Sequence, residues 1–216
     1  MEHREFEKVS AAILALFPPL PETEQRVALT LYRLLAEGGP VSSDVLARVS
    51  EIGSAETERM LSAWPGVYRD SSERIIGYGG LTTTETKHCI QIGRNTRYTW
   101  CAWDTLFIPQ LLNATATVES VCPVTGERVA LTVRPDGIEP ADVAPPVSLV
   151  APEPEKAAKD IVNHFCCHVH FFATSRAGDH WVTKRPGTFL VTLDQAWQLG
   201  RRRNAQRYPM IASMKR

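Results

Sequence analysis

The chain has 216 residues, a length that fits one medium-sized domain, or one domain and a small addition. A chain of this length can bury a sizeable core without covalent cross-links. Its 24 Lys and Arg balance 24 Asp and Glu, so the net charge offers no support for a nucleic-acid or anionic-membrane partner. No apolar run reaches about 18 residues, so no transmembrane helix is predicted. The first 22 residues lack the basic start and small-residue cleavage site of a signal peptide, and the predicted location is therefore cytoplasmic.

The N-terminal third predicts helices followed by a hairpin. The segment TEQRVALTLYRLLAEGG places apolar side chains on one helical face before a Gly-Gly stop: Val27, Leu31, Leu34 and Leu35. Two shorter helices follow, one capped by Ser42 or Ser43 and one beginning at Ser54. Apolar pairs at residues 67–68 and 75–76 flank a polar turn and predict a hairpin, so the order is that of a winged helix. Acidic residues in the helices favour a structural role over DNA binding.

From about residue 81 the pattern is mostly that of strands. KHCIQIG and TRYTWCAW can pair across the turn at residues 93–95, and ATATVESV and ERVALTV alternate apolar and polar residues on either side of PVTG. A short helix is predicted from Asp104, another strand at Val147–Val150, and helices at residues 155–165 and near the C-terminal end. The basic run at residues 201–203 is predicted to be a solvated face. The expected fold class is α+β: an N-terminal winged-helix-like helical unit (1–80), then a mostly antiparallel β-sheet core with flanking helices (81–216).

Five cysteines, an odd number, argue against a disulfide framework in a cytoplasmic protein. In WCAWD, Cys101 precedes Asp104 by three residues, so a helical turn would bring thiol and carboxyl together. FCCHVHFF, at residues 165–172, adds thiols among aromatic residues. Read as a strand, it would place Cys166 on the face of the two histidines, with Cys167 facing the core on the other side. Asp104 has a simpler alternative role as the N-cap of its helix.

Several chemistries compete for these residues. A Cys–His hydrolase would use His168 or His170. A structural zinc site or a redox dithiol would need C-x₂₋₄-C spacing, which the chain lacks. Two thiolates from separate segments suit a soft metal such as Hg(II), and a carboxyl beside them could supply a proton to a carbon leaving that metal.

Four strings carry a resemblance to a known family: IIGYGGLT, WCAWDTLFIPQLL, TATVESVCPVTG and FCCHVHFF. In these strings the chain resembles organomercurial (alkylmercury) lyases over about residues 70–200. The resemblance implies protonolysis of a carbon–mercury bond to a hydrocarbon and Hg(II), as part of mercury detoxification. It implies that Cys101, Asp104 and Cys166 are catalytic and hold the Hg(II) product, and that Cys122 is structural.

The resemblance also implies the reaction's partners. The substrate would be a small organomercurial, and no organic cofactor would be needed. External thiols such as cysteine or glutathione would deliver the substrate, and mercuric reductase would accept Hg(II). Neither nucleic acid nor a membrane is expected as a partner. Two alternatives remain: a soft-metal carrier without turnover, and a metal-responsive DNA-binding regulator.

Overall fold

The computed structural model describes residues 3–139 and 144–211. Helices and strands occur in an α+β order, with four helices before the first strand. The helices are α1 (His3–Ala15), α2 (Glu22–Glu37), α3 (Ser43–Ser50), α4 (Ser54–Ala63), α5 (Asp104–Leu112), α6 (Pro154–Lys159), α7 (Ile161–His164), α8 (Ser175–Thr183) and α9 (Leu193–Arg207). The strands are β1 (Val67–Arg69), β2 (Ile75–Tyr78), β3 (Leu81–Thr82), β4 (His88–Ile92), β5 (Asn95–Thr99), β6 (Ala116–Val121), β7 (Arg128–Arg134), β8 (Gly137–Ile138), β9 (Val147–Val150) and β10 (Thr188–Val191).

The main sheet is antiparallel and has eight strands in the order β1-β2-β3-β5-β4-β6-β7-β8. Strand β6 buries alternate side chains, which is the period-2 pattern of a sheet with one covered face. Strands β9 and β10 form a separate antiparallel pair. This arrangement confirms the predicted fold class of N-terminal helices followed by an antiparallel sheet with flanking helices.

The N-terminal helices pack through the apolar stripe of α2. Val27, Leu31 and Leu35 are fully buried, as their spacing predicted. Ser42 caps α3 by accepting a hydrogen bond from the Val45 N–H. The predicted hairpin forms from β1 and β2 and continues into the main sheet. The division into domains at residue 80 stays a prediction.

Helix α9 is held tightly against α5, the helix that begins at Asp104. Gly200 lies so close to α5 that an added Cβ would be 2.9 Å from the Cβ of Phe107. The Trp103 indole N–H donates to the Ala196 carbonyl at 2.9 Å, and the Asn204 amide donates to the Phe107 carbonyl at 2.9 Å. Side chains of α9 are thereby fixed relative to Asp104.

Three details differ from the sequence predictions. Residues 165–172 are not a strand: Cys166–His168 forms a single 3₁₀ turn, and Cys167 is exposed rather than packed in the core. The predicted helix at 155–165 is broken at Asp160, whose extended backbone separates α6 from α7. Within the basic run, Arg203 is 1% exposed, so the run is not simply a solvated face.

Helices α1 and α8 and strands β3, β8 and β10 were not predicted from the sequence. Helix α1 does carry an amphipathic signal, because Phe6 and Ile13 are buried two turns apart. Across residues 3–139 and 144–211, none of the helices combines the length and apolar character needed to cross a membrane.

Candidate active site

The first thiol lies in a tight turn between β5 and α5. The Cys101 N–H donates to the Asp104 carboxylate at 3.0 Å, and the Thr99 hydroxyl donates to the Cys101 carbonyl at 2.9 Å. Trp103, not Asp104, occupies the N-cap position of α5, so the N-cap alternative was wrong. The Asp104 side chain instead closes the turn that precedes the helix and lies beside Cys101.

The second thiol lies in the 3₁₀ turn Cys166–His168. The Ser148 hydroxyl, from β9, donates to the His168 carbonyl at 2.8 Å and accepts from the His170 N–H at 3.0 Å. The His170 ring nitrogen Nε2 donates to the Cys167 carbonyl at 2.9 Å. A backbone hydrogen bond from Ala102 N–H to the Val169 carbonyl, 3.2 Å long, links this turn to the first.

The two turns bring the predicted residues together. One ligand atom from each of Cys101, Asp104 and Cys166 can be chosen so that all three lie within 4.8 Å of one another. All three side chains are buried, with Cys101 0%, Cys166 3% and Asp104 5% exposed. Two sulfurs and one carboxylate at this spacing form a donor set for a soft metal ion.

Burial changes the protonation of all three groups. Loss of solvent raises the pKa of Asp104 to about 7, although hydrogen bonds from Cys101 and the Arg203 charge act in the opposite direction. Burial, the thiol of Cys166 and the charge of Asp104 together raise the pKa of Cys101 well above its usual range. For Cys166, the hydrogen bond from Cys101 lowers the pKa, but burial and the charges of nearby groups leave it raised. The cluster therefore retains protons near neutral pH.

A glycine in the turn between β2 and β3 makes room for the carboxylate. Gly80 has a φ of +104°, and an added Cβ would lie 2.6 Å from Cγ of Asp104. A side chain at this position would meet both backbone strain and a direct clash. Gly80 also accepts the Trp100 N–H through its carbonyl at 3.0 Å, which fixes the chain just before Cys101.

The cluster borders a cavity of about 250 Å³ with largely apolar walls. Asp104 and Cys166 line it, whereas Cys101 is fully buried and is not among its lining residues. Three aromatic residues contribute to the same wall: Trp100, Trp103 and Phe107. Such a volume accommodates a small organic group beside the sulfur of Cys166.

The other cysteines and the histidines lie outside the cluster. Cys122 is buried in the turn after β6, where its N–H donates to the Glu127 carbonyl at 2.9 Å. Cys89 is half-buried on β4, and the exposed Cys167 thiol donates to the Asn163 carbonyl at 3.1 Å. His170 contacts the backbone of Cys167 rather than either buried thiol, so the geometry does not support a Cys–His nucleophile.

Two arginines of this site were missed at the sequence level. Arg203 and Arg207, from α9, line the same cavity as Asp104 and Cys166. Their signal was present, because buried positions recur along α9 at helical spacing: Ala196, Leu199, Gly200, Arg203 and Arg207. The composition of residues 201–203 alone indicates a solvated face. At the helical period of 3.6 residues, however, Arg203 falls on the buried stripe of the helix.

Comparisons with known proteins found a matching family model, similar sequences and a similar solved structure. A family model described as alkylmercury lyase (MerB) matches residues 81–204. The alkylmercury lyase of Pseudomonas putida is 39% identical over 183 residues, 83% of this chain and 84% of that protein. The alkylmercury lyase of Staphylococcus epidermidis is 34% identical over 179 residues, 82% of this chain and 80% of its own length.

A solved structure supports the fold. The crystal structure of the mercury-bound form of MerB2 superposes with a TM-score of 0.72, covering 92% of this chain and 96% of that one, at 24% identity. The chain therefore belongs to the alkylmercury lyase family, enzymes that cleave carbon–mercury bonds in mercury detoxification.

Proposed function

We propose that this chain cleaves organomercurials by protonolysis, with Cys101 and Cys166 as the mercury ligands and Asp104 as the proton carrier. The observation that carries the proposal is the buried cluster, in which ligand atoms of all three residues lie within 4.8 Å. Thiolate sulfur is the preferred ligand of soft metals, and a carboxyl at this distance reaches both a thiol and a carbon bound to the metal.

In the proposed reaction, thiol protons are transferred as mercury binds and the C–Hg bond is cleaved. As each sulfur bonds to mercury, its thiol loses a proton, and the Asp104 carboxylate accepts one of them. Asp104 then donates that proton to the carbon, the electron pair of the C–Hg bond becomes the C–H bond, and Hg(II) stays on the two sulfurs. For a substrate R–Hg–SR′, the products are R–H, R′SH and Hg(II) bound to both thiolates.

The environment of Asp104 suits this double role. A carboxyl with a pKa of about 7 is divided between its protonated and ionised forms near neutral pH, so it can accept a proton and return it. Trp100, Trp103 and Phe107 line the cavity and would hold the organic group while excluding water from the carbanion-like carbon.

We extend the proposal to the partners of the reaction. External thiols such as cysteine or glutathione would deliver the organomercurial and help to remove Hg(II), which mercuric reductase would receive. The site of action would be the cytoplasm, where such thiols are abundant and cysteines stay reduced. A carrier without turnover would need two sulfurs but would have no use for a buried acid, so the position of Asp104 favours the lyase over the carrier.

Release of hydrocarbon tests the proposal. Purified protein is incubated with phenylmercury and excess 2-mercaptoethanol, and benzene is measured by gas chromatography for wild type, Cys166→Ser and Asp104→Asn. Cys89→Ser is the matched control, since it removes a thiol outside the cluster. We expect many equivalents of benzene from wild type and Cys89→Ser and almost none from the other two. Mercury binding without benzene release from wild type would contradict the proposed function.

A further inference from the structure

The cavity contains two positive charges to which the proposed steps assign no contact with substrate, although the charge of Arg203 also acts on the pKa of Asp104. Arg203 and Arg207 are one helical turn apart on α9 and both line the cavity that Asp104 and Cys166 border. They are 1% and 6% exposed. Arginine is rarely buried unless it is paired with an acid, so two buried arginines in one cavity require an explanation.

Within residues 3–139 and 144–211, the hydrogen-bond partners of these guanidinium groups are neutral. Arg203 donates from Nη1 to the Asn204 side-chain oxygen at 2.9 Å and from Nη2 to the Tyr32 hydroxyl at 3.5 Å. Its Nε is buried and has no hydrogen-bond partner among the residues that the structure describes. Arg207 donates from Nη1 to the Pro18 carbonyl at 3.2 Å. In the described part of the chain, no carboxylate oxygen forms an ion pair with either arginine within 4.0 Å.

Aromatic rings account for part of the stabilisation of Arg203. Its guanidinium carbon lies 4.9 Å from the ring centroid of Phe17 and 4.4 Å from that of Phe107. Contacts of this kind stabilise a cation but leave its N–H donors unsatisfied. Burial raises the pKa of Tyr208, but the charges of Arg203 and Arg207, together with hydrogen bonds to Tyr78 and Arg207, leave it lowered.

A guanidinium presents its N–H groups as a fork that matches the two oxygens of a carboxylate, and the match is strongest where water is excluded. We propose that Arg203 and Arg207 form a carboxylate-binding subsite at one part of the cavity, while the Cys101–Asp104–Cys166 cluster holds mercury at another. The unpartnered Nε of Arg203 is the donor that a carboxylate would satisfy. This inference rests on the proposed function, since it assigns a preferred chemistry to the occupant of the same cavity.

The carboxylate can come from two sources. It can belong to the organic group, as in 4-mercuribenzoate, or to the thiol that carries mercury, as in an adduct with cysteine. The subsite chemistry is the same in both cases. The two sources are separated by comparing 4-mercuribenzoate with phenylmercury in a neutral thiol, 2-mercaptoethanol, and by comparing 3-mercaptopropionate with 2-mercaptoethanol as the carrier of phenylmercury.

The principal test measures kcat/KM for these combinations in wild type, Arg207→Gln, Arg203→Lys and the control Arg202→Gln. Arg202 is the matched control because it is an exposed arginine of the same helix, paired with Glu7 at the surface. We expect Arg207→Gln to lower kcat/KM by about 10- to 100-fold for a carboxylate-bearing combination and by less than about 3-fold for phenylmercury with 2-mercaptoethanol. Arg203→Lys keeps the charge but loses the fork, and it should show a smaller selective loss.

A second readout does not depend on turnover. Benzoate, which contains no mercury, should quench the fluorescence of Trp100 and Trp103 in wild type and in Arg202→Gln, and at least about tenfold more benzoate should be needed in Arg207→Gln. Benzoate binding without any benzene release would leave the subsite standing and refute the proposed function. Turnover, measured as benzene from phenylmercury and as benzoate from 4-mercuribenzoate, with equal losses on charged and neutral combinations would refute the subsite and leave the proposed function intact. Turnover with no benzoate binding would do the same.

Discussion

The two turns that carry the buried thiols are held in place by different kinds of group. The Cys101 turn is closed by an ionisable carboxyl, since the Cys101 N–H donates to Asp104. The Cys166 turn is closed by neutral groups, the Ser148 hydroxyl and the imidazole of His170. A raised carboxyl pKa and a lowered imidazole pKa give the two turns opposite responses to pH.

The direction in which each turn's stability changes with pH follows from the linkage between protonation and folding. Asp104 has a pKa of about 7 when folded and an ordinary value near 3.9 when unfolded, so its contribution is most favourable below about pH 4 and is lost as the pH rises through 7. His170 has a pKa of about 4 when folded, because burial disfavours its charged form, and about 6.5 when unfolded. Its contribution is therefore present above pH 6.5 and is lost as the pH falls towards 4. The Cys101 turn therefore becomes less stable as the pH rises, and the Cys166 turn becomes less stable as the pH falls.

The largest expected effect concerns the thiols, which should act as one unit despite these differences. Cys101→Ser, Cys166→Ser and the double variant should each lower kcat for benzene release by on the order of 10³-fold or more, with no further loss in the double variant. Serine oxygen is a poor ligand for a soft metal, so one substitution already removes the two-sulfur site. If the losses multiply instead, the two cysteines act independently.

Replacement of the carboxyl tests the first turn alone. Asp104→Asn should lower kcat by about 10²- to 10⁴-fold because the proton carrier is lost. The same change should raise the free energy of unfolding by about 2–4 kcal/mol at pH 8 and by little at pH 4, since the buried charge is removed. Urea titrations at the two pH values provide the measurement. Asp179→Asn, an exposed substitution, is the control and should show no such pH dependence.

The close contact at Gly80 tests how sensitively Asp104 must be placed. Gly80→Ala should lower stability by about 1–3 kcal/mol through backbone strain and clash, and it should reduce kcat as well by displacing the carboxylate. Gly39→Ala is a matched control, because Gly39 has a φ of +106° but no atom of the described residues lies within 4 Å of an added Cβ. The control should lose stability and keep kcat; equal kcat values for both variants would mean that the position of Asp104 is not critical.

The smallest effect concerns the second turn. His170→Gln keeps an N–H donor for the Cys167 carbonyl but cannot become charged. Between pH 7 and pH 5, wild type should lose about 1–2 kcal/mol more unfolding free energy than this variant. Some acid sensitivity should remain, since His88, stacked near His170, has a pKa lowered to about 3 by burial. Parallel stability curves for the two proteins would contradict the assignment of acid sensitivity to this turn.

The sequence was informative about one turn and misleading about the other. The i, i+3 spacing in WCAWD correctly predicted that Cys101 and Asp104 lie together, because local spacing largely determines a tight turn. FCCHVHFF has the composition of a strand, yet hydrogen bonds from Ser148, a residue of β9, fold it into a 3₁₀ turn. That contact is distant in the chain, so periodicity within residues 165–172 could not predict it.

The contrast between local contacts and contacts distant in the chain also applies to the fold and to the cavity. The pairs β4–β5 and β6–β7 were predicted because each is a local hairpin with alternating residues. The meeting of Arg203 with Phe17 and Phe107 depends on packing between segments far apart in sequence. Short-range patterns predicted the local hairpins, whereas the positively charged part of the cavity required the tertiary structure.

The cavity wall runs from Phe17 near one end of the chain to Arg207 near the other. During synthesis, Cys101 and Cys166 leave the ribosome before Arg207 does, and at roughly 5–20 residues per second the interval lasts for seconds. Throughout that interval the thiols belong to a nascent chain without the enclosure that α9 later completes. In a cell exposed to mercury, the growing chain therefore presents its thiols to the metal before it has an active site to use them.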